Sequence, residues 1–273
     1  LAKRHYHDTG AMRWFDVNIT PAKDVIKVAS SFKPESGVIG KFLLVVATEG
    51  EDEAQVKNLC QKAADLSEHW DIVAGFSSQA WSVVMLAREL VALHAVSNDH
   101  PELAGDPVAR REVAARIAEM QAQLEVELSK SFSKAEWCRK GQDRKQYSQS
   151  DLNGLASELA HKRFNKCPKL NNELLNRQKP SGSAIAGQNA LLKHMITQEA
   201  KPRIGIDGYP VEGGLYASLL EATGLHAKTQ EGWGFVAPSE DKDHEYRLYP
   251  AWHAAIEYIK EHRDRSVAVS EIY

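Results

Sequence analysis

The sequence predicts a mixed α/β protein in three parts. We expect a small βαβ-type unit at residues 1–100, a helical connector at residues 101–149, and a mainly helical, winged-helix-like region at residues 150–273. Strand and helix patterns alternate in the first part. The second part has apolar residues at helical spacing over one long segment, and in the third part short helices precede a hairpin. With 43% hydrophobic and 26% charged residues, a chain of 273 residues can bury more than one core.

The N-terminal unit shows strand and helix patterns in alternation. Residues 12–19 and 41–47 are rich in the aromatic and branched side chains that strands favour. Acidic residues at 51–53 open a helix, because carboxylates are favoured at the positive end of the helix dipole. An apolar run at residues 71–76 and an amphipathic helix at residues 79–96 complete the order of a parallel α/β layer.

The connector is predicted to be mostly one helix. Asp106 is a suitable N-cap, and Pro107 is favoured in a first helical turn. An apolar stripe then recurs at helical spacing to about residue 129, formed by Val113, Ile117, Met120, Leu124 and Leu128. The stripe lasts two to three heptads, which favours packing on its own domain over a coiled coil. The polar residues 130–149 are expected to connect two domains.

The C-terminal part is predicted to contain short helices and one hairpin. The helices are expected at residues 151–165, 170–178, 181–198, 210–223 and 250–262. Two β-like stretches around Glu231-Gly232 indicate a hairpin. Three short helices followed by a hairpin are typical of a winged helix, with its three-helix core at residues 151–198; this fold binds DNA in some proteins and only packs against protein in others.

The segment SGSAIAGQN, at residues 181–189, has the glycine spacing of a phosphate-binding P-loop. Gln188 and Asn189 stand where that loop needs lysine and a hydroxyl residue, and the preceding residues are polar rather than a buried strand. We therefore expect the capped start of a helix, with Ser181 as the N-cap and Gly187 permitting a close helix approach.

Other catalytic or metal-binding patterns are weak. Asp8-Thr9-Gly10 matches the aspartic-protease triplet but has polar flanks and no second copy, and His5, His7 and Asp8 lack the further histidine cluster that would complete a metal site. No G-x-S-x-G turn frames a nucleophile. No catalytic residue, metal ligand or cofactor is predicted in this chain, and an independent enzyme is a third hypothesis that rests on these three residues alone.

Bulk features predict a soluble, cytoplasmic protein without membrane contact. The longest apolar run, FLLVVA at residues 42–47, is far shorter than the roughly 20 residues that span a bilayer. The cysteines Cys60, Cys138 and Cys167 are far apart and are expected to be reduced thiols in or near cores. Because the sequence begins at Leu1 and its last residues, SVAVSEIY, resemble the start of another element, we expect a piece of a longer protein.

Basic residues concentrate at residues 161–203. Nine basic and two acidic residues give this segment a charge of +7, whereas the whole chain carries −3 and the remainder −10. This asymmetry is typical of a surface that faces a polyanion such as double-stranded DNA. The alternatives are a solvated face and docking on the acidic remainder of the chain.

The candidate DNA contacts follow from side-chain chemistry, because Lys and Arg neutralise phosphates while Asn and Gln can bond adenine edges. They are Arg177, Lys179, Gln188, Asn189, Lys193, Lys201 and Arg203.

Several stretches resemble one family over nearly the whole chain. They are HYHDTGAMRWFDV at residues 5–17, NDHPELAGDPVARREVAARI at 98–117, NELLNRQKPSGSAIAGQNALLKHM at 172–195, GYPVEGGLYASLLEATGLH at 208–226, EGWGFVAP at 231–238 and LYPAWHAAIEYI at 248–259. Together they are similar to the C-terminal half of the very large P-loop ATPases of bacterial phage-exclusion (BREX) and phage-growth-limitation systems.

The resemblance implies a role in defence against phage. It implies an ATPase module outside this piece, where the parent protein would bind ATP and magnesium, and partners among the other defence subunits and the remainder of the parent ATPase. We therefore expect a non-catalytic DNA-contacting or assembly segment of such an ATPase. The alternative is a protein scaffold that docks on its own ATPase module or a sister subunit without binding DNA.

Overall fold

A computed structural model describes residues 1–35, 37–47, 50–68, 71–100, 105–177, 179–241 and 245–272. The fold is mixed α/β, with 56% helix and 14% strand. The chain forms two compact units. Unit 1 comprises Leu1–Ala2 and Arg13–Arg163, and unit 2 comprises Lys3–Met12 and Phe164–Tyr273.

Unit 1 is built on a five-stranded mixed sheet with strand order β1-β2-β3-β4-β5. The first three strands are parallel, and β4 and β5 join the sheet antiparallel. The strands are β1 (Trp14–Pro21), β2 (Val38–Val46), β3 (Ile72–Phe76), β4 (Glu136–Cys138) and β5 (Lys145–Gln146). The first three lie close to the predicted strands. Residues 130–149 were expected to connect two domains, and that prediction is wrong because this segment contains β4 and β5.

Two helices cover one face of this sheet. Helix α2 (Val25–Ser30) and helix α3 (Glu53–Asp65) pack with β2 and β3 into one buried cluster. Leu43 and Val45 enter the cluster from β2, and Cys60 enters it from α3. Helix α3 lies in sequence between the parallel strands β2 and β3.

The longest helices of unit 1 form an antiparallel pair. Helix α4 spans Ala80–Asp99 and α5 spans Pro107–Lys134. Ser82 Oγ donates to Glu127 at 3.0 Å, and Arg116 pairs with Glu89 at 3.4 Å. The predicted N-cap of α5 is confirmed, since the Asp106 carboxylate accepts from two backbone N–H groups. The preceding residues 101–104 of the predicted connector lie outside the described part of the chain.

Within the described residues, one helix passes a length-and-hydropathy test for membrane spans. Helix α4 has a mean hydropathy of 1.3 over its best window. A single helix of this kind is weak evidence for a membrane span, and 11% of the window is buried. Arg88 and Glu89 lie within the helix, and the Glu89 carboxylate pairs with α5.

Unit 1 ends later than the predicted boundary near residue 150. Helix α6 (Gln149–Arg163) buries Leu155 and Leu159 and belongs to unit 1. Its last residue, Arg163, donates to the backbone oxygen of Ile39 at 3.0 Å and pairs with Asp71 at 3.6 Å. These contacts join sequence positions more than 90 residues apart, so a local pattern does not reveal them.

Unit 2 contains six helices and a hairpin in its described residues. The helices are α1 (Lys3–Thr9), α7 (Glu173–Asn176), α8 (Gly182–Thr197), α9 (Val211–Tyr216), which continues into a π-helical turn (Ala217–Glu221), α10 (Tyr249–Glu261) and α11 (Val269–Ile272). The predicted hairpin is present, as β6 (His226–Thr229) and β7 (Gly232–Phe235) pair antiparallel.

The core of unit 2 differs from the predicted three-helix core at residues 151–198. It joins α8, α9 and a short 3₁₀ turn (Pro202–Gly205), with leucines of α7 packed against it. Helix α6 is part of unit 1, so residues 151–163 do not contribute to this core. The buried residues are Leu191, Ile204, Ile206, Leu215, Tyr216 and Leu220.

Gly187 of α8 lies against Val211, the first residue of α9. A Cβ atom added there would lie 2.5 Å from Val211 Cγ1. We expect Gly187→Ala to lower the free energy of unfolding by about 1–3 kcal/mol, because an overpacked side chain must move. Urea unfolding measures the change. Gly182→Ala is the matched control, since its Cβ would meet no atom within 4 Å.

The Gly187→Ala defect has a specific expected rescue. Val211→Ala removes the methyl groups that the new Cβ would meet. The double variant should therefore lose less free energy of unfolding than the sum of the losses in the two single variants. Strict additivity would contradict the close approach.

The buried thiols of unit 1 are expected to be unreactive in the folded protein. Burial raises the pKa of Cys60 to about 12 and that of Cys138 to about 11, which suppresses the nucleophilic thiolate. Cys167 is only half-buried. A thiol reagent at about pH 8 should label Cys167 in the native state and all three thiols after unfolding. Rapid native labelling that persists in Cys167→Ser would contradict this expectation.

Candidate functional site

Helix α8 carries the segment that resembled a P-loop. The Ser181 hydroxyl accepts from the backbone N–H of Ala184 at 3.2 Å, which confirms the predicted N-cap. Gly182 and Gly187 both lie within the helix, and Gly187 packs against α9. The backbone N–H groups beyond the first turn are therefore used in helical hydrogen bonds and do not form a phosphate cradle.

The two sides of α8 differ in burial. Ala184, Gly187 and Leu191 face the core of unit 2. The opposite side exposes aliphatic residues, of which Ile196 is 82% exposed. Three of these aliphatic residues and Asn189 form a line on the helix, at spacings of four, three and four residues. The line follows one face of the helix for about 16 Å. We call Ile185, Asn189, Leu192 and Ile196 the α8 stripe.

Three of the predicted DNA contacts are engaged within unit 2. The Arg177 guanidinium bonds the carboxylate of Glu173, and this hydrogen bond raises the pKa of Arg177. Gln188 Nε2 donates to the backbone oxygen of Leu174 at 3.0 Å.

Arg203 lies in a left-handed turn, with φ values of 50° at Arg203 and 46° at Ile204. Its guanidinium donates to the backbone oxygen of Gly208 at 3.2 Å. A left-handed β-branched residue costs on the order of 1–3 kcal/mol, and here Ile204 is fully buried in the core. Arg203 therefore stabilises the loop at residues 203–208.

Four predicted contacts remain exposed. Within the residues that the structure describes, no ion pair or hydrogen bond engages the side chains of Lys179, Asn189, Lys193 or Lys201; the Thr197 hydroxyl bonds only the backbone oxygen of Lys193. Asn189 and Lys193 lie one turn apart on the outward side of α8. Lys179 lies before the first residue of the helix, and Lys201 lies after its last residue. The helix between them is about 24 Å long.

A buried tyrosine–histidine pair fixes the hairpin and the loop that carries Lys201. His226 Nδ1 lies 2.9 Å from the Tyr216 hydroxyl, and its Nε2 lies 2.7 Å from the backbone oxygen of Glu199. Because a carbonyl oxygen only accepts, Nε2–H donates to Glu199, and the Tyr216 hydroxyl is the hydrogen-bond partner of Nδ1. Burial raises the pKa of Tyr216, which keeps its hydroxyl a donor. No local sequence pattern indicates this pair.

The weak metal and protease patterns are part of helix α1 and the turn after it. His5 is buried and His7 is exposed, because residues two apart in a helix point in different directions. Gly10 has a φ of 72° and lies against the backbone of Leu170. No group of three potential metal ligands occurs within the described ranges.

The tyrosine–histidine pair has a measurable contribution to stability. We expect Tyr216→Phe to lower the free energy of unfolding by about 1–3 kcal/mol, because His226 Nδ1 then stays buried without a hydrogen-bond partner. Thermal or urea unfolding measures the loss. Tyr209→Phe is the control, since Tyr209 is fully exposed. Equal stability of Tyr216→Phe and the wild type would contradict the assignment.

The candidate site of this chain is thus the outward side of α8, with an aliphatic line beside exposed lysines. Comparison of the chain with protein-family models, curated proteins and solved structures finds no match. The function is therefore inferred from the geometry of this surface and from the residues that form it.

Proposed function

We propose that unit 2 is a non-catalytic assembly module, which binds an amphipathic helix of a partner protein through the α8 stripe. The observation that carries the proposal is the alignment of exposed Ile185, Leu192 and Ile196 on one side of α8. Contiguous apolar residues rimmed by polar groups are typical of protein interfaces. Full burial of each such side chain contributes about 1.5–3 kcal/mol, so a partner that covers the stripe gains substantial affinity.

The charges around the stripe favour an acidic partner helix. Lys193 lies beside the stripe, and Lys179 and Lys201 flank the two ends of α8. A helix with an apolar seam and carboxylates along its margins would match both features, because complementary charges steer association and select partners. Asn189 supplies one polar position within the seam, which in helix pairs specifies register at a cost in stability.

The biological setting is proposed from the family resemblance alone. The module would be an assembly segment of an anti-phage defence ATPase in the cytoplasm. Its partner helix would belong to a sister subunit or to the remainder of the parent ATPase, where ATP and magnesium would be bound.

DNA backbone binding is the second candidate function. It is favoured by the exposed lysines Lys179, Lys193 and Lys201 and by the order of α7, α8, α9 and the β6–β7 hairpin, which we interpret as winged-helix-like. In that interpretation the helix before the hairpin would enter the major groove. This helix and its π-helical turn carry Glu212 and Glu221 but no Lys or Arg, which disfavours insertion between phosphates.

Two fluorescent probes distinguish the candidates by anisotropy. The first is a designed helical peptide with leucines along one face and glutamates beside them, and the second is a random-sequence DNA duplex. We expect the wild type to bind the peptide and Leu192→Asp to bind it at least about tenfold more weakly, since a buried aliphatic contact is replaced by a charge. A peptide of the same composition with a scrambled seam controls for charge alone.

Thr197→Asp is the matched protein control, because Thr197 is exposed on the same helix but lies off the stripe. It should lose much less peptide affinity than Leu192→Asp, because it adds the same charge beside Lys193 but removes no apolar contact. Absence of peptide binding would show that the assembly proposal is wrong. The DNA candidate would be supported if the duplex binds and the combined variant Lys179→Ala, Lys193→Ala and Lys201→Ala reduces the salt dependence of duplex binding.

A further inference from the structure

Strand β1 leaves one edge of the unit 1 sheet open. It is the first strand in the sheet order and, within the described residues, pairs with β2 alone. Its eight residues include exposed Trp14, Val17 and Ile19, and Val17 is 60% exposed. An edge strand of this length offers a row of unpaired backbone N–H and C=O groups to another strand.

The opposite edge of the sheet is protected. Strand β5 has two residues, both exposed, and one of them is Lys145. Short edge strands and lysines are the usual devices against edge-to-edge pairing. Strand β1 has no lysine, and its proline, Pro21, is the last residue of the strand. The protection of one edge and the openness of the other indicate a specific partner at β1.

We propose that β1 pairs antiparallel with β1 of a second copy of this chain, about a two-fold axis at Val17. The two five-stranded sheets would then become one continuous sheet. This inference concerns unit 1 and is independent of the function proposed for α8.

The side chains of β1 are self-complementary in this register. In this register the numbers of two facing residues add up to 34. On one side of the sheet, Phe15 therefore faces Ile19 of the second copy, and Val17 faces Val17. On the other side, the strand's one charged residue, Asp16, faces Asn18 of the second copy. On the first side apolar residues thus meet apolar residues, and on the second side the carboxylate meets an amide that can donate to it.

An apolar cavity lies on the side of the sheet where the aliphatic pairs meet. It has a volume of about 230 Å³ and is lined by residues that include Phe15, Val17, Phe42, Leu128 and Leu152. Val17 and Ile19 of the second copy would project from the neighbouring strand on this same side. Their side chains would extend the apolar lining beyond the present edge, which supports a partner that is apolar at these positions.

Cysteine cross-linking tests the register directly. In a Cys167→Ser background, we expect Val17→Cys to form a disulfide-linked dimer on mild oxidation, because paired Cα atoms across antiparallel strands lie about 4.5–5.5 Å apart. Ile19→Cys is the matched control, since it is exposed on the same strand face. The two residues at position 19 would be offset along the paired strands by four residues, about 13 Å, which exceeds the reach of a disulfide.

Light scattering after size exclusion tests the interface itself. We expect the wild type to be a dimer across a concentration series and Val17→Lys to be monomeric with an unchanged circular dichroism spectrum, since Val17 is largely exposed in one copy. Leu192→Asp on α8 should leave the dimer intact. A monomeric wild type, a dimeric Val17→Lys variant, or cross-linking of Ile19→Cys as efficient as that of Val17→Cys would overturn the proposal.

Discussion

Burial of the central strands of unit 1 on both faces is the constraint on which the rest of this unit depends. All five residues of β3 are buried, as are seven of the nine in β2. Strands of this kind need hydrogen-bonded neighbours on both sides and apolar cover above and below. Helices α2 and α3 supply the cover on one face, whereas Trp137 packs edge-on against Phe42 on the other. Gly75 makes room for the Trp137 ring, since a Cβ there would lie 2.5 Å from it.

Unit 2 buries its apolar core by close packing of helices at a small residue rather than against a sheet. Glycine at position 187 brings α8 close to α9, and the core between them holds Leu191 and Leu215. This arrangement uses one side of α8 completely, so any aliphatic residue on its other side stays in water. The exposed Ile196 is thus not a packing defect within unit 2. It lies where the helix can contact another molecule, and this links the internal packing to the proposed assembly role.

The two kinds of basic residue serve different purposes. Arg163, Arg177 and Arg203 bond carbonyl or carboxylate groups of their own unit, whereas Lys179, Lys193 and Lys201 extend from the surface. The guanidinium group has several donors in a fixed plane, which suits backbone oxygens and carboxylates, while a lysine side chain keeps its compact charge hydrated. The +7 segment therefore overstates the charge that is free to meet a partner, because part of it stabilises the fold.

Local patterns in the sequence predict the capped starts at Asp106 and Ser181, the close approach at Gly187, the β6–β7 hairpin and the first three strands. These depend on residues a few positions apart, whose spacing and capping chemistry can be read directly. The three-dimensional fold places α6 in unit 1, completes the sheet with β4 and β5, and engages Gln188 and Arg203 internally. It also decided which side of α8 stays exposed, because burial and strand order depend on contacts between residues that are distant in sequence.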